Sequence, residues 1–468
     1  MSAPNSLRCL ARPSAIIPRS LTSAPWIAAP FSTSAPSLAK AETRKGVMPG
    51  GHVRSGKKMQ LGKFKKNAVR QGKSPLPGER KAYRKRIQLS NSNALPVPGL
   101  EDVRPADMVD ENKIGRVMSI PGLVLDQLRD VEAFKPTQYW GMFRTPSTLL
   151  RAETVDLARR MQNAADKKDM LRLVISGERL TGKSLLLLQS LTYAFMNDWV
   201  VIHIPEAQEL TTACTEYAPI PETDPMQYMQ NNYCLRLLQG IRKANERVLS
   251  RLTCAHSHTD LPQNIPVNST LLQLTNSAKE PEGAWLVFQA LWKELMSQTA
   301  TRPPVLLALD GLAHIMRVSD YMSPSFEPVH SQDLALVRLF CDALSGKSTL
   351  RNGGAIIGAT SRGNTPRSPS MELSLTQRLA EQAGEEAPKH PPYAKGFDPR
   401  SEEALKSVRV VDLKGISKPE ARGLMEYWAA SGVFRAACDE KTVTRSWTLG
   451  GHGVVGEMER ASLQTLRP

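Results

Sequence analysis

Residues 177–184 read Gly-Glu-Arg-Leu-Thr-Gly-Lys-Ser, a glycine followed after four residues by Gly-Lys-Ser. The apolar-rich run 171–175 before this segment is typical of a buried strand. The apolar stretch 185–195 after it lacks Gly and Pro and favours a buried helix. A strand, a glycine-rich loop and a helix, in this order, are the setting of a phosphate-binding loop. The segment therefore predicts an α/β fold with a nucleotide site; the alternative is an ordinary glycine turn with a solvated lysine.

The residue types of this loop explain how it would hold phosphate. Its glycines let the backbone curl until several N–H groups point at one anion, and the helix N-terminus adds its positive end. The Lys183 ammonium can reach the terminal phosphates, and the Ser184 hydroxyl can ligate Mg²⁺. We assign nucleotide contacts to Gly177, Leu180, Thr181, Gly182, Lys183, Ser184 and Leu185.

A carboxylate is expected to complete the metal site. Residues 305–309 are Val-Leu-Leu-Ala-Leu, and Asp310 follows them directly. Such a run fits a central parallel strand whose carboxyl end meets the ligand. Asp310 is therefore predicted to hold Mg²⁺ together with Ser184; the alternative is an Asp that caps a helix after a core strand.

The position after Asp310 bears on catalysis. Many ATPases carry a glutamate there to activate the attacking water, whereas this chain has Gly311. His314 is nearby, but a lone histidine is more often structural than catalytic. Without a placed base, hydrolysis is expected to be slow, and we assign no catalytic residue.

Three other apolar runs complete the predicted sheet. Residues 200–204, 355–361 and 408–413 read as strands separated by helical stretches, which is the signature of a doubly wound parallel sheet. In loop NTPases with an added strand between the two motifs, that strand often ends in a small polar residue near the terminal phosphate. Thr360 or Ser361 fits this role; the alternative is a hydroxyl that caps the strand end.

Composition and periodicity suggest a division of the chain. Helical patterns cover residues 147–162, 226–252, 285–296 and 457–466. The predicted segments are a transit peptide (1–40), a basic extended arm and linker (41–105), a mixed or helical segment (106–170), a nucleotide-binding core (171–415) with a helical insertion (205–300), and a small, mainly helical C-terminal domain (416–468).

The positive charge is confined to the N-terminal part. The chain has a net charge of +16, yet residues 1–100 contain 19 Lys and Arg against two acids, and the remainder contains 42 basic and 43 acidic residues. The first 40 residues contain Arg and many Ser but no acid, which predicts mitochondrial import. The basic stretch 44–86 cannot fold alone and favours RNA phosphates; the alternative is a solvated tail.

Other classes of site have little support in the sequence. The six cysteines are scattered without a Cys-x-x-Cys pair, so neither a disulfide scaffold nor a zinc knuckle is predicted. Cys254, His256 and His258 form the only metal-like cluster, and it lacks a fourth ligand nearby in sequence. No apolar run approaches the length of a membrane span.

The chain resembles fungal-type members of the death-associated protein 3 family, which supplies a P-loop protein of the mitochondrial small ribosomal subunit. The likeness rests on residues 134–140 (Phe-Lys-Pro-Thr-Gln-Tyr-Trp), 177–184, 199–205, 305–311 and 356–362, with a looser match at 450–457. It extends over about residues 130–468, and the basic arm matches only in character.

The resemblance implies an AAA-like core in the head of the small subunit, near the large subunit, in the mitochondrial matrix. It also implies contacts with small-subunit rRNA, neighbouring head proteins and large-subunit proteins, and a bound GTP or GDP with Mg²⁺. No Asn-Lys-x-Asp guanine-reading motif follows the loop, so guanine instead of adenine rests on the resemblance alone. Two alternatives stay open: an active mitochondrial ATPase or GTPase that acts as an assembly factor or loader, and an RNA-binding protein with a vestigial loop.

Overall fold

The computed structural model describes residues 87–297, 302–363, 366–390 and 397–464; the predicted transit segment and almost all of the basic arm lie outside them. The strands are β1 (Val117–Ser119), β2 (Ser147–Leu149), β3 (Met170–Gly177), β4 (Val200–Ile204), β5 (Ala218–Ile220), β6 (Gln227–Met229), β7 (Val305–Asp310), β8 (Val318–Met322), β9 (Pro328–His330), β10 (Gly354–Ala359) and β11 (Arg409–Leu413). The α-helices are α1 (Pro105–Val109), α2 (Gly122–Asp130), α3 (Ala152–Lys167), α4 (Lys183–Met196), α5 (Gln208–Thr211), α6 (Asn231–Ala244), α7 (Glu246–Leu249), α8 (Leu271–Asn276), α9 (Ala284–Leu295), α10 (Ala335–Ser345), α11 (Pro369–Ala383), α12 (Pro399–Ala404), α13 (Lys418–Ala430), α14 (Glu440–Leu449) and α15 (Val455–Glu459).

A parallel sheet of five strands forms the centre, in the order β11-β3-β10-β7-β4. These strands correspond to the five predicted apolar runs, so the predicted parallel sheet flanked by helices is confirmed. β10 follows β7 in sequence but pairs with both β3 and β7. The strand that carries the glycine-rich loop and the strand that ends in Asp310 are therefore separated by an added strand, as expected.

Helices cover both faces of this sheet. Leu306 and Ala308 of β7 pack into one hydrophobic core, and Leu307 and Leu309 pack into the other. All six residues of β7 are buried, since alternate side chains meet a helical layer on either side. Within the described residues, no helix is long and apolar enough to cross a membrane.

The single long helix predicted over 226–252 is wrong. Gln227–Met229 pairs with β5 as a short antiparallel strand, and the helix begins only at Asn231. It ends at Ala244, and the buried amide of the next residue, Asn245, accepts a hydrogen bond from the Val201 N–H (2.8 Å) and donates one to the Val201 C=O (2.9 Å). Asn245 thus satisfies the backbone at the edge of β4, and this tertiary contact sets the end of the helix.

Two other helix boundaries differ from the prediction. The helix predicted over 147–162 starts at Ala152, because Ser147–Leu149 pairs with β1. The final helix predicted from residue 457 starts earlier, at Val455, and a wider helical turn, Arg460–Gln464, follows α15. A capping box begins α13, since the Glu420 carboxylate accepts a hydrogen bond from the Ser417 N–H (2.7 Å). Helices α13 to α15 enclose a third hydrophobic core, which includes Met425, Trp428 and Met458.

Candidate functional site

The glycine-rich loop lies at the carboxyl edge of the sheet, between β3 and α4. Asp310 is the last residue of β7, and Ala359 of β10 lies in register between Asp310 and Ile175 of β3. Two strand spacings separate the loop strand from the acid, a distance of about 10 Å. That gap is too wide for direct contact and fits a metal ion, its water and a phosphate group between the two.

The loop turns sharply between β3 and α4. Leu180 and Gly182 are left-handed, with φ of +65° and +101°, and α4 begins immediately afterwards. The Thr181 hydroxyl donates to the Glu178 C=O (3.0 Å). The first turn of α4, with Ser184 and Leu185, therefore presents backbone N–H groups toward the loop.

Lys183 is buried inside this loop, with 7 % of its surface exposed. Its ammonium donates hydrogen bonds to the carbonyl oxygens of Gly177 (3.0 Å) and Glu178. Burial lowers the Lys183 pKa to about 8, and the neighbouring Arg362 acts in the same direction. The two carbonyl oxygens carry only partial negative charge. A phosphate group at this position would compensate the charge of the Lys183 ammonium more completely.

Asp310 is 3 % exposed, and its two carboxylate oxygens have different environments. Oδ2 forms an ion pair with the Lys135 ammonium. Oδ1 accepts no hydrogen bond from any residue that the structure describes. A buried carboxylate oxygen without a donor is a costly arrangement, and a metal-bound water would satisfy it. The open oxygen of Asp310 thus suits a hydrated Mg²⁺ ion.

Lys135 is a residue of this site that the motifs did not identify. It lies in the segment before β2, where its backbone N–H donates to Oε1 of Gln138 (2.9 Å), which also accepts from the Trp140 indole (2.8 Å). The only sequence signal was the family likeness of residues 134–140. His203 lies close by; burial lowers its pKa to about 4, so its imidazole is neutral at neutral pH.

The backbone after Asp310 disfavours a glutamate at position 311. Gly311 is left-handed, with φ of +90°, and a Cβ atom there would lie 3.4 Å from Cδ2 of His314. His314 is buried, and burial lowers its pKa. A neutral, enclosed imidazole agrees with the interpretation of His314 as structural.

Thr360 lies at the end of β10, as predicted, but its hydroxyl is already engaged. It donates to the Ile175 C=O (3.2 Å), and the Thr360 N–H donates to the same oxygen (2.9 Å). In this geometry the hydroxyl caps the strand end and has no proton left for a phosphate oxygen. The exposed Arg362, two residues later, is the cation of this segment that acts on Lys183.

Arg151 is a second residue beside the loop that the motifs did not identify. It is 6 % exposed, and its guanidinium donates to the Thr181 C=O (2.9 Å) and to the Lys414 C=O (2.9 Å). One side chain therefore connects the start of α3, the glycine-rich loop and the segment after β11. Nothing in its local sequence marks it, because its partners are backbone groups far away in the chain.

The C-terminal helices also contact the loop. The Gly456 N–H of α15 donates to the Leu180 C=O (3.1 Å). A Cβ atom at Gly456 would lie 2.9 Å from Cβ of Leu180, so this approach requires glycine. The loop is thereby enclosed between the sheet and α15.

The metal-like cluster of the sequence has a structural role. His256 and His258 direct ring nitrogens at Oε1 of Glu294 (3.1 and 3.0 Å), and Arg302 donates to Oε2 (2.6 Å). Glu294 is fully buried. The described residues contain no group of three or more His, Cys, Asp or Glu side chains placed to hold a metal ion.

Comparisons with known proteins agree with this architecture. Residues 148–461 match the family described as Mitochondrial ribosomal death-associated protein 3. The chain belongs to this family. It is 57 % identical to the Small ribosomal subunit protein mS29 of Neurospora crassa, over an alignment of 472 residues that covers 100 % of each chain. The protein of the same name from Schizosaccharomyces pombe is 24 % identical over 71 % of this chain and 70 % of its own. The one from Bos taurus is 22 % identical over 42 % of this chain and 50 % of its own. The predicted family resemblance is confirmed.

Proposed function

We propose that this protein is a structural component of the mitochondrial small ribosomal subunit that binds a guanine nucleotide with Mg²⁺ and contacts rRNA. The ribosomal part rests on one observation, the 57 % identity along the whole chain to a small-subunit ribosomal protein. Identity of that extent includes the surfaces as well as the core. We therefore place the protein in the mitochondrial matrix, as part of the ribosome.

The nucleotide part rests on the arrangement of Lys183 and Asp310. The ammonium inside the glycine-rich loop and the carboxylate oxygen that lacks a donor among the described residues lie on either side of β10. This is the edge of the sheet where ligands bind in folds of this type. In this proposal the loop N–H groups and Lys183 bind the phosphates, while Ser184 and Asp310 hold Mg²⁺. The ion would neutralise phosphate charge and fix the position of the phosphate groups.

Slow hydrolysis, or none, follows from the surroundings of Asp310. Gly311 replaces the glutamate that would activate water, and the Thr360 hydroxyl is bonded to Ile175. Nucleotide that binds tightly without turnover stabilises the folded state by mass action. The nucleotide would thus act as a constituent of the fold.

The RNA contact is assigned to the basic arm, residues 44–86, which lies outside the described residues. Its dense positive charge would release counterions from rRNA phosphates. Residues 87–464 have no comparable excess of positive charge. Neighbouring proteins of the subunit head, and large-subunit proteins across the interface, are the proposed protein partners.

The test is sedimentation of the tagged chain from a mitochondrial lysate, with mass spectrometry of any nucleotide released from the sedimented fraction. We expect the chain to migrate with the small subunit and to carry GDP or GTP. Lys183→Ala should abolish the nucleotide. Lys347→Ala is the matched control, because Lys347 lies in another Gly-Lys-Ser tripeptide, after α10, where its ammonium pairs with Glu403 at the surface (3.0 Å).

Each other outcome points to a different function. A chain that sediments free of the subunit contradicts the ribosomal role. Nucleotide absent from the wild type, with Lys183→Ala unchanged in thermal stability, supports an RNA-binding protein with a vestigial loop. Rapid phosphate release that increases with added subunits supports an active ATPase or GTPase, with a base or an arginine supplied by a partner.

A further inference from the structure

A cavity of about 110 Å³ opens beside the glycine-rich loop. Its walls include Gly182 and Leu185 of the loop and α4, and the aromatic side chains of Trp140, Phe143 and Tyr427. Neither Lys183 nor Asp310 lines it. The cavity therefore borders the loop away from the residues assigned to the terminal phosphates and the metal.

Aromatic walls and a position beside the loop suit a nucleobase. A nucleotide with its terminal phosphates at Lys183 must direct its sugar and base away from Asp310. Aromatic side chains stack well on flat rings. Phe143 and Tyr427 of this wall pack against each other, with ring centroids 5.1 Å apart. The C-terminal core supplies this wall, because Tyr427 belongs to α13.

One carboxylate in this cavity has no partner among the described residues. Glu459, the last residue of α15, lines the cavity and receives no hydrogen bond or ion pair from the part of the chain that the structure describes. It lies three residues after Gly456, on the side of α15 that contacts the loop. The adjacent cation, Arg460, pairs with Glu457 instead (3.1 Å). Burial raises the pKa of Glu459 to about 7, although the charge of Arg460 acts in the opposite direction.

Other polar side chains of the same wall are engaged in the framework. Arg151 donates to the Thr181 and Lys414 carbonyl groups. The Gln189 amide donates to the Thr148 hydroxyl (2.6 Å) and accepts from Thr154 (2.7 Å). Glu459 is thus the carboxylate of this wall whose hydrogen-bonding capacity is still unused by the residues that the structure describes.

We infer that Glu459 reads the base of the bound nucleotide and selects guanine. The inference rests on the proposed function, since it requires a nucleotide on the loop. Guanine presents two adjacent donors, N1–H and the N2 amino group, which match the two oxygens of a carboxylate. Adenine presents one donor beside the N1 lone pair, which would face a carboxylate oxygen unfavourably. Glu459 would thus take the guanine-reading role of the Asn-Lys-x-Asp motif, which does not follow the loop in this sequence.

The complementary pattern gives a direct test. In Glu459→Gln, the amide oxygen would accept from N1–H, but the amide NH₂ would meet the N2 amino group of guanine, donor against donor. Xanthine carries an oxygen at that position, so the variant should prefer xanthosine diphosphate. Binding of GDP, ADP, xanthosine diphosphate and inorganic pyrophosphate, each with Mg²⁺, would be measured on the full chain by calorimetry. Glu457→Gln is the matched control on the same helix, outside the cavity wall.

We expect the wild type to bind GDP roughly 10- to 100-fold more tightly than ADP, the usual discrimination of one well-placed bidentate pair. Glu459→Gln should lose a similar factor for GDP, gain for xanthosine diphosphate, and bind pyrophosphate as before. Glu457→Gln should behave as the wild type. If Glu459→Gln keeps the wild-type order of bases, Glu459 does not read the base, while the proposed nucleotide site stands. If the wild type binds neither pyrophosphate nor any nucleotide, the proposed function fails as well.

Discussion

The ammonium of Lys135 pairs with the buried carboxylate of Asp310, the acid assigned to the metal. Lys135 is 28 % exposed and comes from the segment before β2, whereas Asp310 is almost completely enclosed. A cation from outside the nucleotide core thus neutralises this carboxylate when no metal is bound. Mg²⁺ would bring a second cation to the same carboxylate. Each cation would therefore change the free energy that the other contributes by pairing with Asp310.

Lys135→Ala should destabilise the protein most when Mg²⁺ and nucleotide are absent. Removing one partner of a buried ion pair leaves an uncompensated charge and costs about 3 kcal/mol. With saturating Mg²⁺ and GDP the loss should be smaller, because the metal supplies the counter-charge. Urea denaturation under both conditions measures the difference. Lys347→Ala, which removes an exposed cation that pairs with Glu403 (3.0 Å), should cost less than about 1 kcal/mol in either condition. An equal loss for Lys135→Ala in both conditions would argue against this coupling.

Glu294→Gln should destabilise the protein strongly at neutral pH. Burial alone would raise the Glu294 pKa, but hydrogen bonds from the Ala255 and His256 N–H groups and from two imidazoles outweigh burial and lower it. The variant also breaks the buried pair with Arg302, so a loss of about 3–5 kcal/mol is expected.

The pH dependence of this loss has a definite sign. A lowered carboxylate pKa contributes stability that is fully present above the unfolded value of about 4.3 and disappears as the pH falls through the folded value. The difference in the free energy of unfolding between wild type and Glu294→Gln, measured by urea denaturation, should therefore become smaller below a pH of about 4.3. The control is the exposed Glu282→Gln, for which a change within about 0.5 kcal/mol is expected. A gap that is constant with pH would contradict the role of the ionised carboxylate.

Gly311→Glu should not create an ATPase. The left-handed backbone at this position penalises any side chain by roughly 1–2 kcal/mol, and the new Cβ would contact His314. We expect a lower melting temperature and unchanged phosphate release. Gly311→Ala separates the backbone cost from the effect of the carboxylate. Turnover restored in Gly311→Glu alone would show that the fold lacks only this base.

Gly456→Ala should loosen the contact between α15 and the loop. The added methyl group would lie 2.9 Å from Cβ of Leu180, and such overpacking costs roughly 1–3 kcal/mol. Because α15 holds the loop through the Leu180 C=O, the stabilisation by Mg²⁺ and pyrophosphate should also decrease. Thermal denaturation with and without pyrophosphate tests both effects. Gly122→Ala, where a Cβ meets nothing within 4 Å, should be neutral or slightly stabilising. A Gly456→Ala protein as stable and as responsive as the wild type would exclude this role for α15.

Deletion of residues 57–86 should flatten the salt dependence of RNA binding. The segment contains 12 Lys and Arg. We plot log K for RNA binding against the log of the salt concentration. The magnitude of this slope should decrease by roughly 0.7–0.9 for each phosphate that the shortened arm no longer neutralises. Binding to small-subunit rRNA over a series of salt concentrations measures it, with an equal-length version in which every Lys and Arg is replaced by Gln as the control. An unaltered slope would mean that the RNA-binding surface lies elsewhere in the chain.

The sequence predicted those parts of the site that are encoded by contiguous residues. The loop and its strand are local patterns, and so is the apolar run that ends in Asp310. Lys135, Arg151 and Glu459 could not be found in this way, because their roles arise from contacts with segments that are distant in sequence. Periodicity likewise could not place the end of α6, which Asn245 fixes through its bonds to Val201.

The bonds of Arg151 also set an order of events during synthesis. Its guanidinium connects the start of α3 with the Thr181 and Lys414 carbonyl groups, and the last of these is made 263 residues after Arg151 itself. The glycine-rich loop can reach its final shape only when the chain is nearly complete. If the chain enters the matrix unfolded, as the proposed function requires, it would bind its nucleotide only after import.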